Sequence, residues 1–171
     1  MELISSVEKY RSKIFHVTED EARDPDGFYI KRCIVRHPGS AVMLPIDDDG
    51  RILLVRQYRV PARAFLWELP AGKIDPGELP LETAKRELGE ETGYSATNWK
   101  QLTTFYPSPG YVEERMTLFL ARGLTKGEAH NMEDERISIK WFTRQEVAAM
   151  IRTGDVMDAK TIIGYYMSQE T

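Results

Sequence analysis

Glu87, Glu90 and Glu91 stand close together in the segment Arg86-Glu87-Leu88-Gly89-Glu90-Glu91. On a helix advancing ~100° per residue, these carboxylates share one arc of about 100°, and Leu81, Ala84 and Leu88 share a neighbouring arc of about 60°. Such a helix can pack its apolar arc on a sheet and turn its carboxylates toward a cleft. Three carboxylates this close repel one another, and either solvent or bound cations relieve the repulsion. Hard cations such as Mg²⁺ take oxygen ligands of this kind and keep positions open for water and phosphate. Arg86 precedes Glu90 by four residues and can pair with it, fixing its orientation. The plain alternative is a solvated acidic helix face, since Glu is a good helix former. Gly89 argues against it, costing ~1 kcal/mol relative to Ala at mid-helix. So does Leu69-Pro70-Ala71-Gly72, a tight loop that can bring a backbone carbonyl near the carboxylates.

The elements that must position this helix follow from local pattern. Pro80 suits a first helical position and Gly93 a C-terminal stop, so the spacing predicts a helix over Pro80 to Thr92 after turn chemistry at Pro76 to Pro80. Phe28 to Arg36, Gly39 to Ile46 and Arg51 to Arg59 read as strands, the last two joined by the hairpin signal Asp47-Asp48-Asp49-Gly50. Further strands are expected near Trp99 to Tyr106, Arg115 to Ala121 and Arg136 to Phe142. Thr143 and Glu146 form a capping box for a helix ending near Gly154, and a last helix covers roughly Ala159 to Gln169. Strands mixed with three helices predict a sheet covered by helices on its faces.

The chain has 171 residues, enough for one domain with a sizeable core. Its net charge of −4 argues weakly against a nucleic-acid partner, whose phosphates reward a basic face. The single cysteine, Cys33, has no intrachain partner for a disulfide. No apolar run approaches the ~20 residues of a membrane span, so no membrane partner is expected. Met1 to Tyr10 lacks the core of a signal peptide, and a cytoplasmic location is the expectation. His16, His37 and His130 do not cluster in sequence and read as incidental, not as metal ligands.

Gly72, then five residues, Glu78, then seven residues, then Arg86-Glu87-Leu88-Gly89-Glu90-Glu91-Thr92-Gly93-Tyr94 resembles the Nudix box. Chance agreement at its seven fixed positions has a probability on the order of 10⁻⁸ per start site. Tyr94 departs from an aliphatic slot and remains largely apolar. Outer segments resemble the ADP-ribose pyrophosphatase branch of that family. They are Arg56-Gln57-Tyr58-Arg59, Trp67-Glu68-Leu69-Pro70-Ala71-Gly72, Ser108-Pro109-Gly110, Glu133-Asp134-Glu135 and Asp158-Ala159-Lys160-Thr161-Ile162. The region from Met1 to Lys31 carries the least resemblance.

The resemblance implies an α/β fold, a Nudix-type α/β/α sandwich with a mixed β-sheet. It implies hydrolysis of a nucleoside diphosphate sugar, ADP-ribose foremost, to AMP and ribose 5-phosphate. The alternatives are another substrate such as GDP-mannose, or an ADP-ribose-binding regulator that does not hydrolyse. The Ala71 carbonyl with Glu87, Glu90, Glu91 and Glu135 would hold Mg²⁺, for which Mn²⁺ can substitute. Glu133 would be the general base. Arg86, Glu90 and Glu91 belong to the catalytic group. Arg59, Arg32, Tyr29, Glu68, Ser108, Pro109 and Glu114 would meet the substrate. Members of this branch form homodimers, so residues 1–38 are expected to be N-terminal strands exchanged between subunits, ahead of a hydrolase domain over 39–171.

Overall fold

Ser40–Pro45 (β4) is buried at every position, as a strand must be when both faces of its sheet are covered. Ala41 and Met43 point to one cluster of apolar side chains, Val42 and Leu44 to another. The computed structural model describes residues 1–127 and 137–170. In it β4 pairs in parallel with Met116–Lys126 (β9), whose other edge carries the antiparallel Tyr94–Phe105 (β8). Ala71–Lys73 (β7) closes the far edge, giving a mixed sheet in the order β7-β4-β9-β8.

Pro80–Thr92 (α1) covers the first face through Ala84 and Leu88, which join Ala41, Met43, Phe119 and Ala121. The helix starts where Glu82 accepts the Leu79 amide at 2.9 Å. It stops where Gly93 adopts φ 72°, a left-handed position that glycine takes without a Cβ penalty. On the second face, Leu118 and Leu120 meet Ile52, Leu54, Leu69, Phe142, Val147 and Val156. These come from Ile52–Arg59 (β5), Ser138–Phe142 (β10), Arg144–Thr153 (α2) and the connections between them. Ala64–Glu68 (β6) completes a second small sheet, β10-β5-β6, and Ala159–Met167 (α3) packs beside α2. Each fully buried Leu or Ile in these clusters contributes about 1.5–3 kcal/mol before chain entropy is subtracted. The result is the expected α/β/α sandwich, its second layer shared by two helices and a small sheet.

Several expectations shift. Where local pattern picks out one strand before Gly39, Phe28 to Arg36, there are three, Glu2–Arg11 (β1), His16–Arg23 (β2) and Tyr29–Arg36 (β3), in a separate antiparallel sheet. The tight loop expected at Leu69 to Gly72 is only half loop, since Ala71 already pairs with Val42. β8 begins at Tyr94, not Trp99, because the chain leaving Gly93 pairs at once with Lys126. The last helix ends at Met167 and continues as a 3-10 turn over Ser168–Glu170. The start expected for β10, Arg136, lies outside the described residues. None of the described helices is long and apolar enough to cross a membrane.

Candidate active site

Close approach of α1 to β7 builds the centre of the site. A Cβ on Gly72 would lie 1.9 Å from Cδ of Glu87, so only glycine lets this carboxylate rest against the strand backbone. One turn on, Glu91 is 7% exposed and its Oε2 accepts the Ala71 amide at 3.1 Å. The segment Leu69–Gly72 is therefore bound directly to the acidic face of the helix.

Arg86 collects the remaining carboxylates. Its Nη1 donates to Glu87 Oε1 at 2.8 Å and to Glu90 Oε2 at 2.9 Å. Its Nε and Nη2 donate to the two oxygens of Glu78 at 3.0 and 2.9 Å. The expected Arg86–Glu90 pair is present, and Glu78, to which the motif alone assigns no role, proves to be the main anchor of the guanidinium. Among the described residues no three acid, imidazole or thiol groups already surround a common point for a cation. Arg86 instead bridges Glu87 and Glu90 through one nitrogen and offsets their mutual repulsion.

The Arg86 bond lowers the Glu78 pKa from 4.5 to about 2, with the Thr83 hydroxyl helping at 2.7 Å. A carboxyl depressed in the folded state adds stability above its unfolded pKa and loses it as pH falls through the folded value. Metal-free wild type and Glu78→Gln should therefore differ in melting temperature by a constant amount above about pH 5. The difference should shrink between pH 4.5 and about 2. Parallel melting curves down to pH 2 would remove the Arg86–Glu78 pair as a source of stability.

A second cluster lies at the ends of β5 and β6. Glu68, 1% exposed, receives Arg59 through Nε to Oε1 and Nη2 to Oε2, both at 2.8 Å. Burial pushes the Glu68 carboxyl up, but the Arg59 bonds and the Lys160 charge outweigh it and hold it below its ordinary value. The same bonds raise the Arg59 pKa, and the charge of Glu91 acts in the same direction, so the two clusters feel each other. Arg56 behaves differently from Arg59, lying over the rings of Phe65 at 5.0 Å and Trp67 at 5.9 Å.

The other expected substrate residues are spread more widely. Arg32 and Pro109 line one cavity of about 330 Å³ with Ile34, Tyr106 and Tyr111. Ser108 shapes that loop, its carbonyl accepting the Val112 amide at 3.0 Å. Glu114 accepts the Ser40 hydroxyl at 2.5 Å at the start of β4. Tyr29 is 45% exposed on β3 and does not line the Arg32 cavity. Glu133 and Glu135 lie outside the described residues. Another cavity, about 480 Å³, is bordered by Lys13, His16, Arg36, His37 and Lys73 and contains none of the expected site residues. Two histidines read as incidental thus share a wall, with no metal-ligand set among the described residues.

Sequence reasoning missed Lys160 and Asp158 as parts of the Glu68 cluster, although the segment containing them was conspicuous. Tyr94 also gains a reason. Its ring meets Trp141 edge-on with centroids 5.6 Å apart, and its hydroxyl accepts the indole N–H at 3.3 Å. A tyrosine there ties the end of α1 to β10 as an aliphatic residue could not. Packing gives no reason for Gly89, since a Cβ there would meet nothing within 4 Å.

A family model described as the NUDIX domain matches residues 35–162. The ADP-ribose pyrophosphatase of Bacillus subtilis (strain 168) is 37% identical over 160 residues, 92% of this chain and 86% of that protein. The methanol dehydrogenase activator of Bacillus methanolicus is 37% identical over 171 residues, 98% of this chain and 92% of that protein. A crystal structure of an ADP compounds hydrolase shares the fold, with a TM-score of 0.85 and 22% identity over 99% of this chain and 92% of that one. With its glutamate helix seated on Gly72, and with these matches running along most of its length, the chain belongs to the Nudix hydrolase family.

Proposed function

We propose that this protein hydrolyses the diphosphate bond of ADP-ribose, giving AMP and ribose 5-phosphate. The observation that carries the reading is the meeting of two clusters. Glu91 accepts the Ala71 amide, Glu87 rests against Gly72, Arg86 ties Glu90 to Glu87, and Arg59 lies within electrostatic reach of Glu91. An acidic helix beside a clamped arginine suits a diphosphate that arrives with cations. Similarity to an ADP-ribose pyrophosphatase supports the choice of nucleotide sugar.

The donor set fits a hard divalent cation, because every candidate ligand is an oxygen: Glu87, Glu90, Glu91 and the Ala71 carbonyl. Bound there, Mg²⁺ or Mn²⁺ would neutralise the diphosphate and lower the pKa of a water. Arg86 keeps Glu87 and Glu90 oriented through its two Nη1 bonds. Arg59 is held by one edge on Glu68, and its Nη1 makes no hydrogen bond to a described residue, leaving that nitrogen for a phosphate oxygen. Glu133 as the base and Glu135 as a further ligand rest on the family resemblance. Arg32, Tyr29, Ser108, Pro109 and Glu114 are proposed for the two ends of the substrate.

A homodimer with residues 1–38 exchanged belongs to the same proposal. Leu3, Ile4, Val7 and Tyr10 are all exposed on β1, whose sole pairing partner among the described strands is β2. An edge strand with apolar side chains on both faces suits a second copy of the chain.

The substrate is tested by chromatographic product analysis at equal concentrations of ADP-ribose, GDP-mannose and NADH with Mg²⁺. The expected kcat/KM for ADP-ribose is at least about tenfold above GDP-mannose. Preference for GDP-mannose or NADH would leave the family membership standing and overturn the substrate.

A further inference from the structure

Lys160 is 6% exposed, an unusual place for an ammonium group. Its Nζ donates to Glu68 Oε2 at 2.6 Å and to Asp158 Oδ1 at 3.0 Å. Asp158 is fixed in turn, because its Oδ2 caps α3 by accepting the Thr161 amide at 3.0 Å. Buried ion pairs stabilise little compared with apolar residues of the same volume, so stability alone is a weak reason for a lysine here.

The geometry offers a better reason. Glu68 is bound by two cations, Arg59 and Lys160. Lys160 approaches from the interior, whereas the Arg59 side chain is 42% exposed and has the freedom to swing into solvent. Glu68 can aim Arg59 only if its own carboxylate cannot rotate. Its Oε2 is the oxygen that Lys160 and Arg59 share, so Lys160 locks the plane against which Arg59 aligns both of its donors.

We propose that Lys160 is a positioning residue for the anionic substrate, holding the Glu68 carboxylate in the plane that presents the free edge of Arg59 to a phosphate. The proposal rests on the reading of Arg59 as a phosphate-binding residue. Lys160 itself touches no substrate. Loss of this brace should act as loss of a supporting partner commonly does, by about ten- to hundredfold. It should act through binding shared by ground and transition states, which raises KM more than it lowers kcat.

The test is a double-mutant cycle on the full-length protein with ADP-ribose and saturating Mg²⁺. Lys160→Met is expected to raise KM about tenfold and to leave kcat within about threefold. The Mg²⁺ concentration for half-activation should stay unchanged. In an Arg59→Ala background, Lys160→Met should alter kcat/KM by less than about threefold, because the group it positions is gone. A merely structural lysine would have the same effect with or without Arg59. Wild-type KM in Lys160→Met, or full additivity with Arg59→Ala, would overturn the proposal. Should Lys160→Met fail to fold, Lys160→Arg keeps a charge beneath Glu68 and is read through the same cycle. Arg59→Ala with a wild-type KM would instead remove the phosphate-binding reading itself. A raised KM in Arg59→Ala beside an unchanged one in Lys160→Met removes only the role of Lys160.

Discussion

Replacing Glu91 with glutamine is expected to lower kcat by roughly 10³-fold, about 4 kcal/mol of transition-state stabilisation. The fold should tolerate the change. Glutamine has nearly the same shape, and its amide oxygen can still accept the Ala71 N–H that Glu91 accepts at 3.1 Å. What disappears is one negative charge at a nearly buried position beside Glu87 and Glu90. Melting temperature should stay level or rise, since like-charge repulsion on α1 falls. Steady-state kinetics and a thermal melt on the same preparation check both halves. A kcat within about tenfold of wild type would take Glu91 out of the ligand set.

Protein stripped with excess chelator should be inactive against ADP-ribose and recover when Mg²⁺ or Mn²⁺ is restored. The acidic face of α1 gives a second readout that needs no turnover. A cation that binds only the folded state stabilises it by about 2.7 kcal/mol at roughly one hundred times its Kd. Wild type should therefore melt higher with Mg²⁺ than without, and Glu91→Gln should lose most of that gain. Full turnover in chelator would end the metal mechanism. A thermal gain that survives in Glu91→Gln would place the cation elsewhere.

Short-range signals were legible in the sequence. The limits of α1 follow from Pro80 and Gly93, a proline and a glycine whose backbone preferences act locally. The turn expected at Asp47–Gly50 closes through the Gly50 amide on the Asp47 carbonyl at 3.0 Å, although β4 and β5 meet only at the single bridge Ile46–Ile52 and then enter different sheets, and the Thr143–Glu146 box closes with bonds of 3.2 and 2.7 Å. Each device spans a few residues and needs no distant partner. The arc of Glu87, Glu90 and Glu91 is equally local, because helical period alone sets it.

The N-terminal strands were harder to read for a physical reason. β1 pairs with β2 through register shifts between Leu3 and Ser5 and between Glu8 and Tyr10. Each irregularity breaks the period-two alternation by which a strand is recognised, so Glu2–Arg11 shows no clean pattern.

The sequence by itself determined the family, the helix that carries the carboxylates and the glycine that must stand before it. The spacing of the Nudix box and the caps of α1 contain that information. Tertiary structure alone decided which groups meet across the chain. Lys160 reaches Glu68 over 92 positions, Ser40 reaches Glu114 over 74, and Trp141 reaches Tyr94 over 47. No local preference encodes such pairs. They arise because β4 and β9 run side by side in the core, with α1 packed on one face of their sheet and α3 on the other. A buried carboxylate such as Glu68 must then find its cations wherever the packing of those layers delivers them.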